Sequence, residues 1–485
     1  MTAGALIMLK QGNAGRMAFL TFNPQVSYFK SVFKKHTNFS MDYRSLIPEK
    51  TSNLSHDVET TINFKIKRDC DLINDMYFTF DLPDVYSRTT LNFQWIRRLG
   101  EYIVKDITLR AGGLTLDKQY SEWFHIWSEL NLSKEEKESY NKLIGNTVDM
   151  YDPENVNGHS SYPVSEIYPS IQGRKIYLPL RFWFNNNISN SFPLIATQNV
   201  ELELDIILRP LQELYTIVDT NRKRPSTAAH KFGKFLKDAD TSDSLNINPQ
   251  LEINNIFLDN EERKRFALVT HEYLGKQVQR LEQQVTKSEV NNVSIDLKNI
   301  NKPITQLYIL VRRSDFETYN LWSNFTNWLD LDTPYYADSA SDPFRTKATI
   351  SSSTINFFKN QNLLKSARLN IENNYLLDGN VRNNSNLQII DGKDDRFFNL
   401  IQPYTRNNGY GGEGIYVYSF SIDNTVNAPK GACNMSNINN KKIEMVLNDI
   451  YNSESFDYNY NVYIYAENYE IFKIMGGLVG TVSAN

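Results

Sequence analysis

Cysteine is almost absent: Cys70 and Cys433 are the only two in 485 residues. Two thiols so far apart in sequence exclude a disulfide framework and point to a reducing or redox-indifferent compartment. Both are expected to act as small buried apolar side chains. No run approaches the ~18 to 20 apolar residues that a membrane helix needs, so the chain is not expected to span a bilayer. The apolar GALIML at 4–9 is too short for the usual ~7 to 15 residue core of a signal peptide, stops at Lys10 and has no basic region before it. It reads as a tail that packs against something. Charge of one sign is lacking too: 52 Lys and Arg against 56 Asp and Glu give a net charge of −4 with no long block of either sign. A dedicated nucleic-acid binder is therefore not expected.

Catalytic signatures are equally scarce. His36, His56, His125, His159, His230 and His271 are scattered, with no two close enough for a local zinc pair. HEYLG at His271 lacks the second histidine of a zincin helix, and no GxSxG elbow occurs. GYGGEG at 409–414 matches GxGxxG, whose glycines let a helix N-terminus approach a pyrophosphate. Here it runs into IYVYSFSI, a strand pattern, so a turn is expected. Asp391, Asp394 and Asp395 of DGKDD form the densest acidic cluster, read as a solvated turn. No catalytic residue, metal ligand or cofactor site is assigned.

What the chain has is aromatic residues, 28 Tyr and 27 Phe, and a hydrophobic period of two. In TINFKIK (61–67), Ile62, Phe64 and Ile66 share one face while Asn63, Lys65 and Lys67 share the other, which is a half-buried strand. MYFTFDL (76–82) repeats the pattern, with turn residues expected in the preceding RDCDLIND. Similar runs include EYIVKDITLRAG, KIYLPLRFWF, VELELDIIL, LEINNIFL, VSIDLK, ITQLYILV, ARLNI, GIYVYSFSI, KIEMVLN and NYNVYIYAENYEIFKIM. Many short strands separated by Gly, Pro and Asn describe an all-β sandwich or jelly roll. Helices are expected only near 120–131, after the cap-like Ser133, and near 316–329.

The length fits two domains of ~200 residues. Residues 219–249 carry no sustained apolar period and read as a long loop or partly ordered insertion before the last strand of the first domain. The boundary is placed in the charged DNEERKRFA at 259–267. The expected plan is a tail at 1–20, a first unit at 21–262 and a second at 263–485. NRKRP at 221–225 reads as a solvated charge cluster, and the sequons at Asn187, Asn292, Asn324 and Asn434 as unmodified. In FKSVFKKHTNFS, Phe29, Phe33 and Phe39 are expected to pack into a core or a subunit seam, in preference to stacking on nucleic-acid bases.

TFNPQVSYFKSVFKKHTNFSMD (21–42) resembles the opening of the major capsid proteins of nucleocytoplasmic large DNA viruses. The resemblance continues in order through RDCDLINDMYFTFDLP, YSEWFHIWSELN, FPLIATQNVELEL, IFLDNEERKRFALVTHEYL, RFFNLIQPYT, GIYVYSFSIDNTVNAPKGACNMSNI and NYEIFKIMGGLVG. It implies two tandem eight-stranded jelly rolls with long inter-strand loops. It also implies a non-enzymatic homotrimer, a pseudo-hexagonal capsomer that tiles an icosahedral shell. The implied partners are neighbouring capsomers, minor capsid and penton proteins and an internal membrane beneath the shell. The implied location is the virion, after assembly in the host cytoplasm. The alternatives are a tandem β-sandwich carbohydrate-binding protein or glycosidase, with a groove of exposed aromatics, and a minor capsid or penton protein.

Overall fold

The structure is a computed structural model that describes residues 2–11, 18–31, 33–50, 53–88, 90–153, 168–219, 227–228, 230–237, 244–326, 362–382, 389–407, 411–425, 428–448 and 458–482. The chain divides into a short unit, 1–39, and a large one, 40–485. The short unit contains the helices Ala3–Gln11 and Ala18–Thr21 and leaves Leu9, Leu20, Phe22 and Tyr28 exposed.

In the large unit, period two becomes antiparallel sheet. Thr60–Ile66 buries Ile62, Phe64 and Ile66 while its alternate residues stay more open. The strands fall into two sets. In the first, Phe39–Leu46, Gln250–Leu258, Leu72–Leu82 and Arg174–Pro179 form one four-stranded sheet. Thr60–Ile66, Leu202–Leu208, Val104–Ala111 and Leu114–Tyr120 form the other. In the second set, one sheet has the path His271–Val285, Tyr460–Met475, Pro303–Arg313, Ile415–Ser419. The facing path is Val293–Asp296, Lys441–Leu447, Leu364–Ile371, Asn374–Leu376. None of these ladders joins the two sets. Each set encloses its own apolar cluster, around Phe64, Phe78 and Leu204 in the first and Val311, Leu364 and Val462 in the second.

Several local expectations are corrected. The LIND of RDCDLIND is strand, not turn, because its polar side chains find distant partners: Asn74 Nδ2 donates to the Phe184 carbonyl at 2.6 Å and Tyr43 OH to Asp75 at 3.3 Å. EYIV does not begin a strand, since Leu99–Tyr102 is a helical turn and the strand starts at Val104. KIYLPLRFWF stops as strand at Pro179. The helix expected at 316–329 spans only Ser314–Thr318, and Asn320 has the left-handed φ of 60° that a helix cannot continue through. Its segment from 327 lies outside the described residues.

The expected helix at 120–131 is observed as Ser121–Asn131. The next, Lys134–Leu143, is capped as its sequence requires: Ser133 Oγ accepts from the Glu136 amide at 3.4 Å, and Glu136 accepts from the Ser133 amide at 2.8 Å. The 219–249 stretch is not uniformly polar in its packing. Phe232 and Phe235 are buried against Phe93, anchoring the described part of the insertion to the first core. Helix Asn260–Leu268 then connects the two strand sets.

Candidate functional site: the seam between the two strand sets

The two sets meet along a seam built by the helix Ser121–Asn131. Trp123, Ile126 and Leu130 recur at helical spacing on one face. They pack with Tyr308, Leu310, Ile415, Val417, Tyr463 and Tyr465 of the second set. Phe124 turns to the first core. The start of strand Ile415–Ser419 is therefore buried on both faces, with Tyr416 in the second core and Ile415 and Val417 in the seam. A second contact stacks Trp183 on Phe472 at 4.7 Å. Gly275 makes it possible, since a Cβ there would lie 2.6 Å from both Trp183 and Phe472.

At the centre of the seam are charges that both sets share. Glu122 and Arg312 are each 2% exposed. The Glu122 carboxylate lies 3.6 Å from Arg312 and 4.0 Å from Arg209, and Tyr465 OH donates to it at 3.0 Å. Arg312 also donates to Glu317 at 2.9 Å, to the Trp322 carbonyl at 3.1 Å and to Tyr463 OH at 2.7 Å. Burial would raise the Glu122 pKa, but Arg312, Arg280 and Arg209 outweigh it and hold the group at about 2. A neighbouring network joins Arg98 to Glu101, Glu129 and Ser128, while Tyr140 OH donates to Glu101 at 2.9 Å and Lys137 pairs with Glu129 at 2.9 Å. Every charge in these networks has a partner, so they fix the geometry of the seam and leave no group free for chemistry.

The residues singled out in the sequence do not come together. Phe29, Phe33 and Phe39 are 99%, 82% and 48% exposed in the single chain. Asp391 pairs with Arg368, Asp394 accepts the Phe397 amide and Asp395 accepts from Asn362, three separate structural tasks. His271 bonds the Phe266 carbonyl at 2.7 Å, and buried His125 bonds Tyr102 OH at 2.9 Å, where burial pushes its pKa well below the ordinary value. His159 and NRKRP lie outside the described residues. Cys70 is buried and its thiol pushed up by burial to about 12, whereas Cys433 is only half-buried. The Asn324 sequon is buried, with Asn324 accepting from Thr326, while Asn187, Asn292 and Asn434 are exposed. Among the described residues no group of three His, Cys, Asp or Glu side chains converges on a metal site. The networked residues Glu122, Arg209 and Arg312 were missed in the sequence, where the only signal was charge inside otherwise apolar strand and helix patterns.

Two pairs of antiparallel sheets on one chain, locked by a shared helix and a buried ion network, define a protein of the double jelly-roll fold class. The description "Major capsid protein N-terminus" matches residues 27–259, and "Large eukaryotic DNA virus major capsid protein" matches 262–480. The major capsid protein of Phaeocystis pouchetii virus is 26% identical, covering all of both chains. That of Pyramimonas orientalis virus is 26% identical over 96% of each. A chain of the PBCV-1 virus capsid superposes with a TM-score of 0.68 at 21% identity, covering 95% of this chain and 100% of that one. The chain belongs to the major capsid proteins of large eukaryotic DNA viruses. These are structural proteins of the virion shell and not enzymes.

Proposed function

We propose that three copies of the chain associate into a capsomer with pseudo-hexagonal outline that tiles an icosahedral shell. The observation that carries this reading is the repeat of one plan within a single chain: two four-stranded sheet paths in each half. A trimer of such chains presents six similar barrels around its axis, which matches threefold symmetry to sixfold neighbours. The ion network at Glu122 and Arg312 holds the two halves as one body, so that a tile transmits position from one edge to the other. Neighbouring capsomers, minor capsid and penton proteins and a membrane beneath the shell are the partners of this tile, and the host cytoplasm is its place of assembly. The two jelly rolls are taken to divide at residue 262, within helix Asn260–Leu268.

Phe29, Phe33 and Phe39 serve as anchors in contacts between copies. Weak contacts suffice, because a closed shell multiplies them. Native mass by light scattering over a range of concentrations tests the trimer. A stable species near three times 56.3 kDa is expected, and a monomer at every concentration overturns the reading.

A further inference from the structure

The seam contact is made once within the chain, yet each half carries both of its sides. Helix Ser121–Asn131 follows strand Leu114–Tyr120, which pairs with Val104–Ala111. In the second half Lys393–Asp394 pairs with Leu364–Ile371, and a helical segment, Phe397–Ile401 then Gln402–Arg406, follows it. WFHIWSEL at 123–130 and FFNLIQPY at 397–404 share one pattern: aromatic, Phe, polar, apolar, apolar, polar, with an apolar residue again at the last position. Phe124 and Phe398 each turn into the core of their own half. Ile126 and Leu130 are then buried in the seam, whereas their counterparts Leu400 and Tyr404 are 47% and 72% exposed.

The sheet side repeats as well. Leu72–Leu82 stands near Arg174–Pro179 and Gln250–Leu258, paired to both, as Pro303–Arg313 does to Ile415–Ser419 and Tyr460–Met475. The core residues Met76, Phe78 and Phe80 correspond to Leu307, Ile309 and Val311. That register sets Tyr77 at the place of Tyr308, Thr79 at that of Leu310 and Asp81 at that of Arg312. In the second half this outward face is buried under the helix, at Tyr308, Leu310, Ile415 and Tyr465. In the first half the outward Tyr77, Tyr177 and Glu252 are only half-buried.

The charges change sign between the two faces. Glu122, one residue before Trp123, meets Arg312 inside the chain. The residue before Phe397 is Arg396, exposed and without an ion pair among the described residues. Asp81, at the place of Arg312, accepts from the Asn248 side chain at 3.0 Å and meets no cation among the described residues.

We propose that residues 396–406 of one copy dock on the outward face of the first half of the next copy. Leu400, Ile401 and Tyr404 pack against Tyr77 and Tyr177, and Arg396 pairs with Asp81. This contact rests on the trimer reading above and supplies its interface; it runs head to tail, so three repeats of it close a ring. The reversed charges also sort the contacts, because a segment carrying Arg396 meets repulsion at Arg312 and cannot take the place of Ser121–Asn131 in the seam.

Sedimentation equilibrium of the full native chain and of its variants tests the contact. Arg396→Asp and Asp81→Arg are each expected to raise the concentration of half-trimerisation about tenfold or more, the scale of one unpaired interface charge. The double variant, with both charges exchanged, is expected to return to within about threefold of the native value. Leu400→Ser with Tyr404→Ser, both exposed in the single chain, should weaken the trimer about tenfold or more and leave the circular dichroism of the fold unchanged. Trimers of native affinity from these variants overturn the docking site and leave the trimer itself standing, and a double exchange that recovers nothing overturns the Arg396 and Asp81 pairing. A native chain that is monomeric at every concentration overturns both the docking site and the trimer.

Discussion

The carboxylate of Glu122 and the guanidinium of Arg312 lie 3.6 Å apart, both almost fully buried, one from each half of the chain. Removing one member of such a pair leaves the other as an unpaired buried charge, which costs roughly 3–5 kcal/mol. Glu122→Gln should therefore lower the urea midpoint markedly, and Glu122→Gln with Arg312→Met should recover part of the loss. The folded pKa of about 2 lies below the ordinary 4.5. The stability this group contributes is therefore present above pH 4.5 and is lost as pH falls through 2. A midpoint that does not respond to Glu122→Gln would show that the network does not hold the seam.

Asp117 works in the opposite direction. Burial raises its carboxyl from the ordinary 3.8 to about 7. Between those values the folded chain keeps a proton that the unfolded chain has lost, so this group's contribution falls as pH rises and reaches its full penalty above about 7. At roughly 1.4 kcal/mol per unit the penalty is at most a few kcal/mol. Asp117→Asn should flatten the stability profile between pH 4 and 7 and raise the urea midpoint at pH 8. An Asp117→Asn profile parallel to that of the native chain would sink this assignment.

Gly414 shows how closely two backbone segments of the second half approach. Its φ of 76° is left-handed, and a Cβ there would lie 2.2 Å from the Phe325 carbonyl oxygen. Gly113 has a similar φ of 85° but open space around it. Gly113→Ala should cost about 1–2 kcal/mol from backbone strain alone, and Gly414→Ala clearly more, because backbone must move. Thermal unfolding of the two variants side by side checks the difference, and equal losses would contradict it.

Strand existence was legible wherever one face is buried and the other wet. Thr60–Ile66 and Leu202–Leu208 alternate cleanly because each has a core on one side only. Strand His271–Val285 was missed because most of its residues are half-buried on both faces, which erases the period. Phe39–Leu46 was missed for the opposite reason, being exposed along nearly its whole length. The seam itself was invisible. Trp123, Ile126 and Leu130 announce an apolar helix face, but nothing local says that Ile415 and Val417, almost 300 residues on, will cover it. The charged network is likewise a property of the assembled seam and not of any one segment.

The aromatic anchors of the N-terminal segment separate folding from assembly. Phe29 and Phe33 are 99% and 82% exposed in the single chain. Exposed side chains contribute little to a chain's own stability, so Phe29→Ser with Phe33→Ser should shift its unfolding by no more than about 0.5 kcal/mol. If these rings fill pockets on neighbouring copies, each loses ~3 kcal/mol or more of buried aromatic contact on substitution, and a shell repeats that loss at every tile. The double variant is therefore expected to fold normally yet to fail in shell formation, read by sedimentation velocity and electron microscopy of the assembled particles. Shells of normal yield from the variant would remove both phenylalanines from the assembly contacts.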